Sequence, residues 1–302
     1  MKSINKKSGK KIIHKASDME EVSWLSTGVD AIDFIIGGGL PKGRMVSIKG
    51  FQSASKTTLS LAIIAEAQKN NVPCVFVDAE WSLNLTHAQT MGVDLDKLTV
   101  ISSDTAEEAI EAIEEVLDDN MLVVVDSVAA LSARAEAEAT INEPGIALQA
   151  RLMSRALRRL TPMTAQKSAT IVWVNQLRHS LGVSYTPYSE TGGNALKFYS
   201  SVSLELKKTG TLKSGDSIIG QEVTVTVVKN KVGKPGGKCI LNLIFDEGFS
   251  GKVPIIDKAL EEGWVTKEGN TYYYEGEKIG VGKDKAEQYI NDHLLDKIKD
   301  TK

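Results

Sequence analysis

The loop that follows a strand-like run, Val46–Gly50, carries residue types that bind phosphate. It comprises, in order, Gly50, Phe51, Gln52, Ser53, Ala54, Ser55, Lys56, Thr57 and Thr58. The spacing follows the P-loop pattern, in which a glycine and four variable residues precede Gly-Lys-Ser/Thr. There, backbone N–H groups surround a phosphate at a helix N-terminus, the lysine neutralises phosphate oxygens and the hydroxyl ligates Mg²⁺. The pattern predicts a nucleotide site; the alternative is a strand–turn–helix junction with a chance Lys-Thr pair.

One residue of this loop departs from the pattern, because Ser55 occupies the position of the second glycine. A glycine there often supplies a backbone shape that a Cβ hinders. A positive φ at Ser55 would cost on the order of 1–2 kcal/mol, enough to weaken nucleotide binding roughly tenfold. Either Ser55 keeps a negative φ or fits without strain, or it takes the glycine-type conformation. We favour the second, because functional sites commonly hold strain.

Two carboxylates follow apolar strand-like runs later in the chain. Asp126 ends the run Leu122–Val125 in the Walker B pattern, where an aspartate holds hydrated Mg²⁺ beside the P-loop. Glu80 follows the run that contains Phe76 and Asp78, and it could polarise the water that attacks a γ-phosphate. Each acid could instead be an ordinary solvated strand terminus. Their order behind the P-loop favours the catalytic interpretation.

A set of arginines recurs at helical spacing near the middle of the chain. Positions i, i+4, i+7 and i+8 are occupied by Arg151, Arg155, Arg158 and Arg159. On a helix they form one basic stripe, and the residues that can pack inward are Leu152, Ala156, Leu157 and Leu160. Guanidinium groups donate bidentately to phosphate oxygens. The stripe predicts a nucleic-acid backbone contact, with a merely solvated cationic face as the alternative.

The elements that must position these residues alternate between strands and helices. Apolar runs typical of buried parallel strands are Cys74–Val77, Leu122–Val125 and Thr170–Val174. Amphipathic helical stretches include Thr58–Lys69 and Thr105–Leu117. This alternation implies βαβ units and a mostly parallel sheet. Three later strands are expected to extend the sheet antiparallel, namely Val202–Leu206, Val223–Val227 and Ile240–Phe245.

The predicted fold class is therefore α/β, a P-loop ATPase core with a small α+β C-terminal domain. We expect residues 1–23 to form a short basic arm, in which Lys11–His14 could be one strand. Residues 24–250 form the core. Residues 251–302 form the small domain, with short helices and a tyrosine-rich hairpin at Thr271–Tyr274.

Composition sets further limits on the class of protein. The hydrophobic fraction is 42% and the net charge −3, which is ordinary for a globular domain and leaves room for a local basic groove. Cys74 and Cys239 lie in apolar strand-like runs and are expected to be reduced core residues. No run approaches the ~20 apolar residues of a membrane helix, and the lysine-rich start lacks a signal-peptide core. These features predict a cytoplasmic protein without a membrane partner.

Blocks of sequence beyond the P-loop resemble the bacterial RecA recombinase family. In chain order they are Ser26–Gly28, Gly39–Pro41, Lys56–Leu59, Asp78–Glu80, Val125–Leu131, Ala150–Ser154, Asn175–Arg178, Thr191–Tyr199, Val228–Lys231 and Gly276–Gly280. They span most of the chain, from Trp24 to Tyr289. The resemblance implies a RecA-like P-loop ATPase core. The short N-terminal arm and the mixed charge of the C-terminus would also suit a phage-borne member.

The resemblance implies a role for each matching residue of the nucleotide site. Lys56 and Thr57 would bind the phosphates of ATP and Mg²⁺, and Asp126 would be the Walker B acid of the metal site. Glu80 would be the catalytic base. Gln176 would sense the γ-phosphate and relay it to the DNA-binding loop that follows.

Other matching residues are implied to act at the edges of that site. Asn84 and His87 occupy positions near the adenine. Lys229 and Lys231 match a pair that reaches the γ-phosphate bound by the neighbouring protomer, and Phe198 would lie at the same interface. The short N-terminal strand would serve polymerisation.

The resemblance also implies the DNA contacts. Arg151 and Arg158 would contact the DNA backbone. Ile146, at the end of the first DNA loop, could insert between bases, and Arg178 begins the second loop. Tyr185 and Tyr188 in that loop, which runs to Gly193, could stack on bases, or they could pack the loop down.

These assignments imply an ATP-dependent recombination protein that forms a helical homo-oligomeric filament on single-stranded DNA. It would pair that strand with homologous double-stranded DNA and hydrolyse ATP when stimulated by DNA. One alternative is a ring-shaped DNA motor or clock-type ATPase on the same core, which the blocks Thr191–Tyr199 and Gly276–Gly280 disfavour. Another is a non-catalytic scaffold, suggested by Ser55. Four retained residues argue against it: Lys56, Glu80, Asp126 and Gln176.

Overall fold

The computed structural model describes residues 21–134, 146–179, 188–191 and 193–294, together with residues 15 and 17. The predicted strand at Lys11–His14 therefore lies outside the described residues. Within those ranges the strands are β1 Trp24–Leu25, β2 Leu40–Pro41, β3 Arg44–Gly50, β4 Cys74–Asp78, β5 Leu98–Ile101, β6 Leu122–Asp126, β7 Thr170–His179, β8 Tyr188–Glu190, β9 Val202–Ser214, β10 Ser217–Asn230, β11 Lys238–Ile244, β12 Gly248–Gly251, β13 Val265–Glu268, β14 Thr271–Tyr274 and β15 Glu277–Val281. The α-helices are α1 Asp30–Ile36, α2 Lys56–Lys69, α3 Leu85–Thr90, α4 Ala106–Val116, α5 Ile146–Gln166, α6 Ala195–Tyr199, α7 Ile256–Glu261 and α8 Lys283–His293.

One large sheet organises the described part of the chain. Its order is β12-β11-β10-β9-β3-β7-β6-β4-β5, with β8 pairing β7. The strands from β9 to β5 are parallel to their neighbours, whereas β8, β10, β11 and β12 pair antiparallel. The predicted mostly parallel sheet with an antiparallel extension is confirmed.

The direction of β9 corrects one detail of that prediction. Val202–Leu206 was expected to begin the antiparallel extension, but this segment runs parallel to β3, with Val202 opposite Val46. The extension begins one strand later, at β10. The reason is the connection, because the chain leaves the far end of β7 and passes through α6 before it enters β9. A crossover of this kind returns the chain in the same direction.

Buried aliphatic and aromatic side chains cover both faces of the sheet. One face packs against α1 and α2, and the other packs against α4 and α5. Trp173 on β7 is fully buried between α5 and the sheet. The predicted helix Thr105–Leu117 is confirmed as α4, and Thr105 caps it by accepting a hydrogen bond from the N–H of Glu108 (3.3 Å). The layers therefore fix the carboxyl ends of the strands, where ligand-binding residues of α/β sheets collect.

A separate hydrophobic cluster holds the C-terminal region. Three antiparallel strands, β13 to β15, pack with α7 and α8 around buried residues that include Tyr272 and Ile290. The segment Thr271–Tyr274, predicted as a tyrosine-rich hairpin, is a single strand, β14, at the centre of this sheet. Cys74 and Cys239 are free and buried, as predicted, and burial raises the pKa of each thiol to about 12. Among the described helices none has the length and apolar character needed to cross a membrane.

Candidate nucleotide and DNA site

The P-loop connects β3 to α2 at the centre of the sheet. Its first residue, Gly50, lies so close to β9 that a Cβ there would come within 2.5 Å of the Leu206 carbonyl oxygen. Only glycine fits this approach without a backbone shift. The loop therefore begins against β9 and ends at Lys56, the first residue of α2.

Ser55 has the glycine-type conformation that the sequence analysis favoured. Its φ is 62° and its ψ is 29°, in the left-handed region, and Ser53 has a φ of 59°. A side chain in this region is disfavoured because its Cβ crowds the backbone. The alternative in which Ser55 keeps a negative φ is excluded.

Lys56, Thr57 and Asp126 meet at the start of α2. The Lys56 ammonium donates to the Phe51 carbonyl (2.8 Å), and Thr57 Oγ1 donates to Asp126 Oδ2 (2.5 Å). Burial lowers the pKa of Lys56, while the carboxylates of Asp126 and Glu80 oppose that shift. Burial raises the pKa of Asp126 to about 6, against the hydrogen bond from Thr57. The cluster joins a cation, a hydroxyl and a carboxylate beside a backbone loop.

These oxygens suit Mg²⁺, which is bound in nucleotide sites by one or two protein oxygens together with phosphates and water. Thr57 and Asp126 supply such a pair, and Glu80 lies near enough to raise the pKa of Asp126. Across the described residues no group of three or more His, Cys, Asp or Glu side chains could enclose a metal alone. The donor set thus fits a metal that the nucleotide helps to hold.

Glu80 and Gln176 are in direct contact. Gln176 Nε2 on β7 donates to Glu80 Oε1 (3.0 Å), and Ser127 Oγ donates to the same oxygen (2.6 Å). No role was predicted for Ser127, although its position directly after the Walker B aspartate was a signal in the sequence. A carboxylate held this way can accept a proton from a water molecule. Its contact with Gln176 links it directly to β7.

His87 lies beside the start of α2, and Asn84 precedes the short helix that carries it. Their predicted position near the adenine stays a prediction. Asn84 Oδ1 caps α3 by accepting from the N–H of His87 (2.9 Å). The His87 ring approaches Thr58, with Nε2 3.2 Å from Oγ1. The planar ring of His87 next to the P-loop helix is a group on which a base can pack.

The three predicted interface residues form a cluster around α6. Lys229 Nζ donates to the carbonyls of Lys197 (2.5 Å) and Phe198 (3.2 Å), and Lys231 Nζ donates to the Phe198 carbonyl (3.1 Å). The Phe198 side chain is 70% exposed. Burial, then the charges of Lys231 and Lys197, lowers the pKa of Lys229 to about 8. An exposed aromatic ring beside two lysines has the chemistry to contact an acidic surface.

The arginine stripe lies on the outer face of α5. All four arginines are exposed, and Ala156, Leu157 and Leu160 are buried as predicted. Leu152 is only partly buried against the same core. Arg159 is paired with Glu114 on α4 at 2.5 Å. The stripe is confirmed as one face, with one of its members held by a carboxylate.

The exit of the second predicted DNA loop is tied to the P-loop. The Tyr188 ring meets Phe51 edge to face, with centroids 5.6 Å apart and an 80° interplanar angle. Lys49 Nζ, at the end of β3, lies 2.7 Å from Glu190 Oε1. Tyr188 thus packs against the nucleotide loop, in line with the packing alternative for the loop's tyrosines.

Of three further residues predicted to contact DNA, the structure describes the side chain of one. Arg178 is exposed at the end of β7. Ile146 begins α5, but its side chain lies outside the described part of the structure, and Tyr185 lies wholly outside it.

Gln221, which no local pattern indicated, contacts the P-loop from β10.

Comparison with known proteins agrees with this geometry. Residues 1–250 match the model of the RecA N-terminal domain, and residues 254–300 match that of the RecA C-terminal domain. The Protein RecA of Thioalkalivibrio sulfidiphilus is 43% identical over 297 residues, covering 96% of this chain and 87% of the relative. Those of Syntrophus aciditrophicus and Marinobacter nauticus are 43% and 42% identical, covering 91% and 96% of this chain and 81% and 86% of each relative. The chain belongs to the RecA family of ATP-dependent recombinases.

Proposed function

We propose that the loop from Gly50 to Thr58 binds ATP with Mg²⁺ and that Glu80 is the base for its hydrolysis. As a RecA-family member the chain is a recombinase with DNA-dependent ATPase activity; the proposal concerns how its own residues do this. The observation that carries it is a set of three contacts: Lys56 bonds to the loop carbonyl of Phe51, Thr57 bonds to Asp126, and Gln176 bonds to Glu80.

The proposed chemistry divides among these side chains. Lys56 and the loop N–H groups bind phosphate oxygens, and Glu80 accepts the proton of the attacking water. Mg²⁺, when bound by Thr57 and Asp126, would neutralise phosphate charge. Gln176 holds the base and lies on β7, whose end continues directly into the second DNA loop. This connection supports coupling of DNA binding to hydrolysis.

Assembly would complete the site. We place Lys229, Lys231 and Phe198 at the interface between protomers, where the lysines reach the neighbour's phosphate. The exposed ring and the paired lysines support this assignment. The filament would form on single-stranded DNA through Arg151, Arg158, Arg178, Ile146 and Tyr185, and would admit double-stranded DNA for pairing.

The division of the chain and its location complete the proposal. The separate C-terminal cluster supports a boundary near residue 250, between a core and a small domain, with residues 1–23 as an arm. Family membership supports a cytoplasmic location. The positive φ of Ser55 is the one observation that favours the non-catalytic scaffold as a second candidate.

The test is ATP hydrolysis with and without single-stranded DNA, followed by imaging of filaments. The parental chain should hydrolyse ATP when DNA is added. Glu80→Gln should still bind ATP and DNA but lose hydrolysis by roughly 10²–10⁴-fold, because an amide cannot accept the proton. Glu115→Gln, the same change at an exposed position of α4, is the matched control. Parental-rate hydrolysis by Glu80→Gln would contradict the assignment, and no hydrolysis by the parental filament would favour the scaffold.

A further inference from the structure

Gln221 contacts the P-loop from a strand that is distant in sequence. It lies on β10, is 6% exposed, and sits 166 residues from Ser55 in the chain. Its side-chain nitrogen donates to Ser55 Oγ and to the carbonyl oxygen of Ser53 (3.3 Å). One buried amide group therefore forms hydrogen bonds with two residues of the same loop.

The two partners of Gln221 are the two P-loop residues with positive φ. Ser53 has a φ of 59° and Ser55 a φ of 62°. Both carry a Cβ in a region that glycine enters freely and other residues enter with strain. Such strained conformations persist where the surrounding structure holds them in place. The two hydrogen bonds from Gln221 are contacts of this kind.

The direction of the bonds follows from the chemistry of the acceptors. The Ser53 carbonyl can only accept, so the Gln221 nitrogen must face the loop. Ser55 Oγ then accepts from that nitrogen. The loop is thus supported at both ends by neighbouring strands, with Gly50 against the Leu206 carbonyl of β9 and Ser55 against Gln221 of β10.

We propose that Gln221 is a positioning residue that holds the P-loop in its phosphate-binding shape because Ser55 stands where the pattern has glycine. This inference rests on the proposed function of the loop as the ATP site. Gln221 needs no contact with the nucleotide to act. Its effect is conditional: nucleotide affinity depends on Gln221 when residue 55 carries a side chain, and largely ceases to depend on it when residue 55 is glycine.

A double-mutant cycle tests this dependence. ATP affinity with Mg²⁺ is measured by calorimetry for the parental chain, Gln221→Met, Ser55→Gly and the double variant. Methionine keeps the packing volume and removes both bonds. Gln221→Met should weaken ATP binding about tenfold in the parental background, since losing buried hydrogen bonds is costly. In the Ser55→Gly background it should weaken binding by about threefold or less, because only the long bond to Ser53 is lost.

Controls separate positioning from general stability. Thr224→Val removes a buried polar group from the same strand and should leave ATP affinity unchanged; urea unfolding should show similar midpoints for both single variants of β10. If the parental chain binds ATP, the proposed site stands. Equal losses from Gln221→Met in the two backgrounds, or no loss in either, would then overturn the positioning role of Gln221. If the parental chain and Lys56→Ala bind ATP equally poorly, the proposed site fails and the role of Gln221 fails with it.

Discussion

At Ser55 the chain accepts a backbone conformation that its sequence pattern normally leaves to glycine. The φ of 62° places the strain at the N-cap residue of α2, directly before Lys56. Gln221 offsets part of this strain through its hydrogen bond to Ser55. The remaining strain bears on the loop that must bind phosphate, which makes nucleotide affinity the property most sensitive to residue 55.

Ser55→Gly should therefore tighten ATP binding by the isolated protomer. Relief of the remaining strain is expected to gain about 1 kcal/mol, which is roughly fivefold in the dissociation constant. The gain should be smaller in the DNA-bound filament, because in the proposed assembly the neighbouring protomers complete the site. Calorimetry on free and DNA-bound protein measures both values. Identical affinities of the two free proteins would show that the strain does not reach the nucleotide.

On the scale of the element, α5 presents a basic face of which one member is already paired. Arg151, Arg158 and Arg159 are all exposed on this face, and Arg159 is in addition paired with Glu114 at 2.5 Å. A guanidinium that is held by a carboxylate is less available to a DNA phosphate. Arg159 therefore serves as a comparison for Arg151 and Arg158 within the same stripe.

Arg151→Ala and Arg158→Ala should each weaken binding to all DNA sequences about equally and reduce the salt slope by about one. Arg159→Ala, the matched control, should change the slope much less because its partner is Glu114. Fluorescence titrations of single-stranded DNA at several salt concentrations give these slopes. Unchanged slopes for Arg151→Ala and Arg158→Ala would place the DNA path elsewhere.

Strand β8, in the predicted second DNA loop, contacts the P-loop through Tyr188 and the preceding strand β3 through Glu190. The edge-to-face contact of Tyr188 with Phe51 should be worth about 0.5–1.5 kcal/mol. Tyr188→Ala should raise the DNA concentration that half-activates hydrolysis by roughly two- to tenfold, with little change in ATP binding. Tyr188→Phe keeps the ring and should behave as the parental chain. An equal loss in Tyr188→Phe would show that the hydroxyl, and not the ring contact, matters.

At the scale of the whole molecule, the sequence predicted the layers well and the long-range contacts poorly. The buried runs that became β4, β6 and β7 were readable because strands covered on both faces are continuously apolar. The direction of β9 was missed, since direction depends on the path through α6. Gln221 was missed because 166 residues separate it from Ser55, and only the sheet brings them together.

Assembly should depend on pH through Lys229. Its lowered pKa of about 8, against 10.5 for an ordinary lysine, means that it loses its charge as the pH rises through about 8. DNA-dependent hydrolysis by filaments should fall over that range. Between these two pKa values the folded state binds fewer protons than the unfolded state, so the titration of Lys229 makes folding more favourable as the pH rises. Unfolding caused by Lys229 therefore cannot explain a decline in hydrolysis. Lys229→Arg, which stays charged, should flatten the profile; the same decline in Lys229→Arg would assign it to another group.

A site shared between protomers is the central claim, and complementation in mixed filaments tests it most directly. Lys231→Ala and Glu80→Ala protomers, each inactive alone, are mixed in equal amounts on single-stranded DNA, and ATP hydrolysis is measured. In a head-to-tail filament about a quarter of the interfaces then join an intact Glu80 to an intact Lys231 of the neighbour. The account predicts recovery to roughly a quarter of the parental rate. No recovery in well-formed mixed filaments would contradict it.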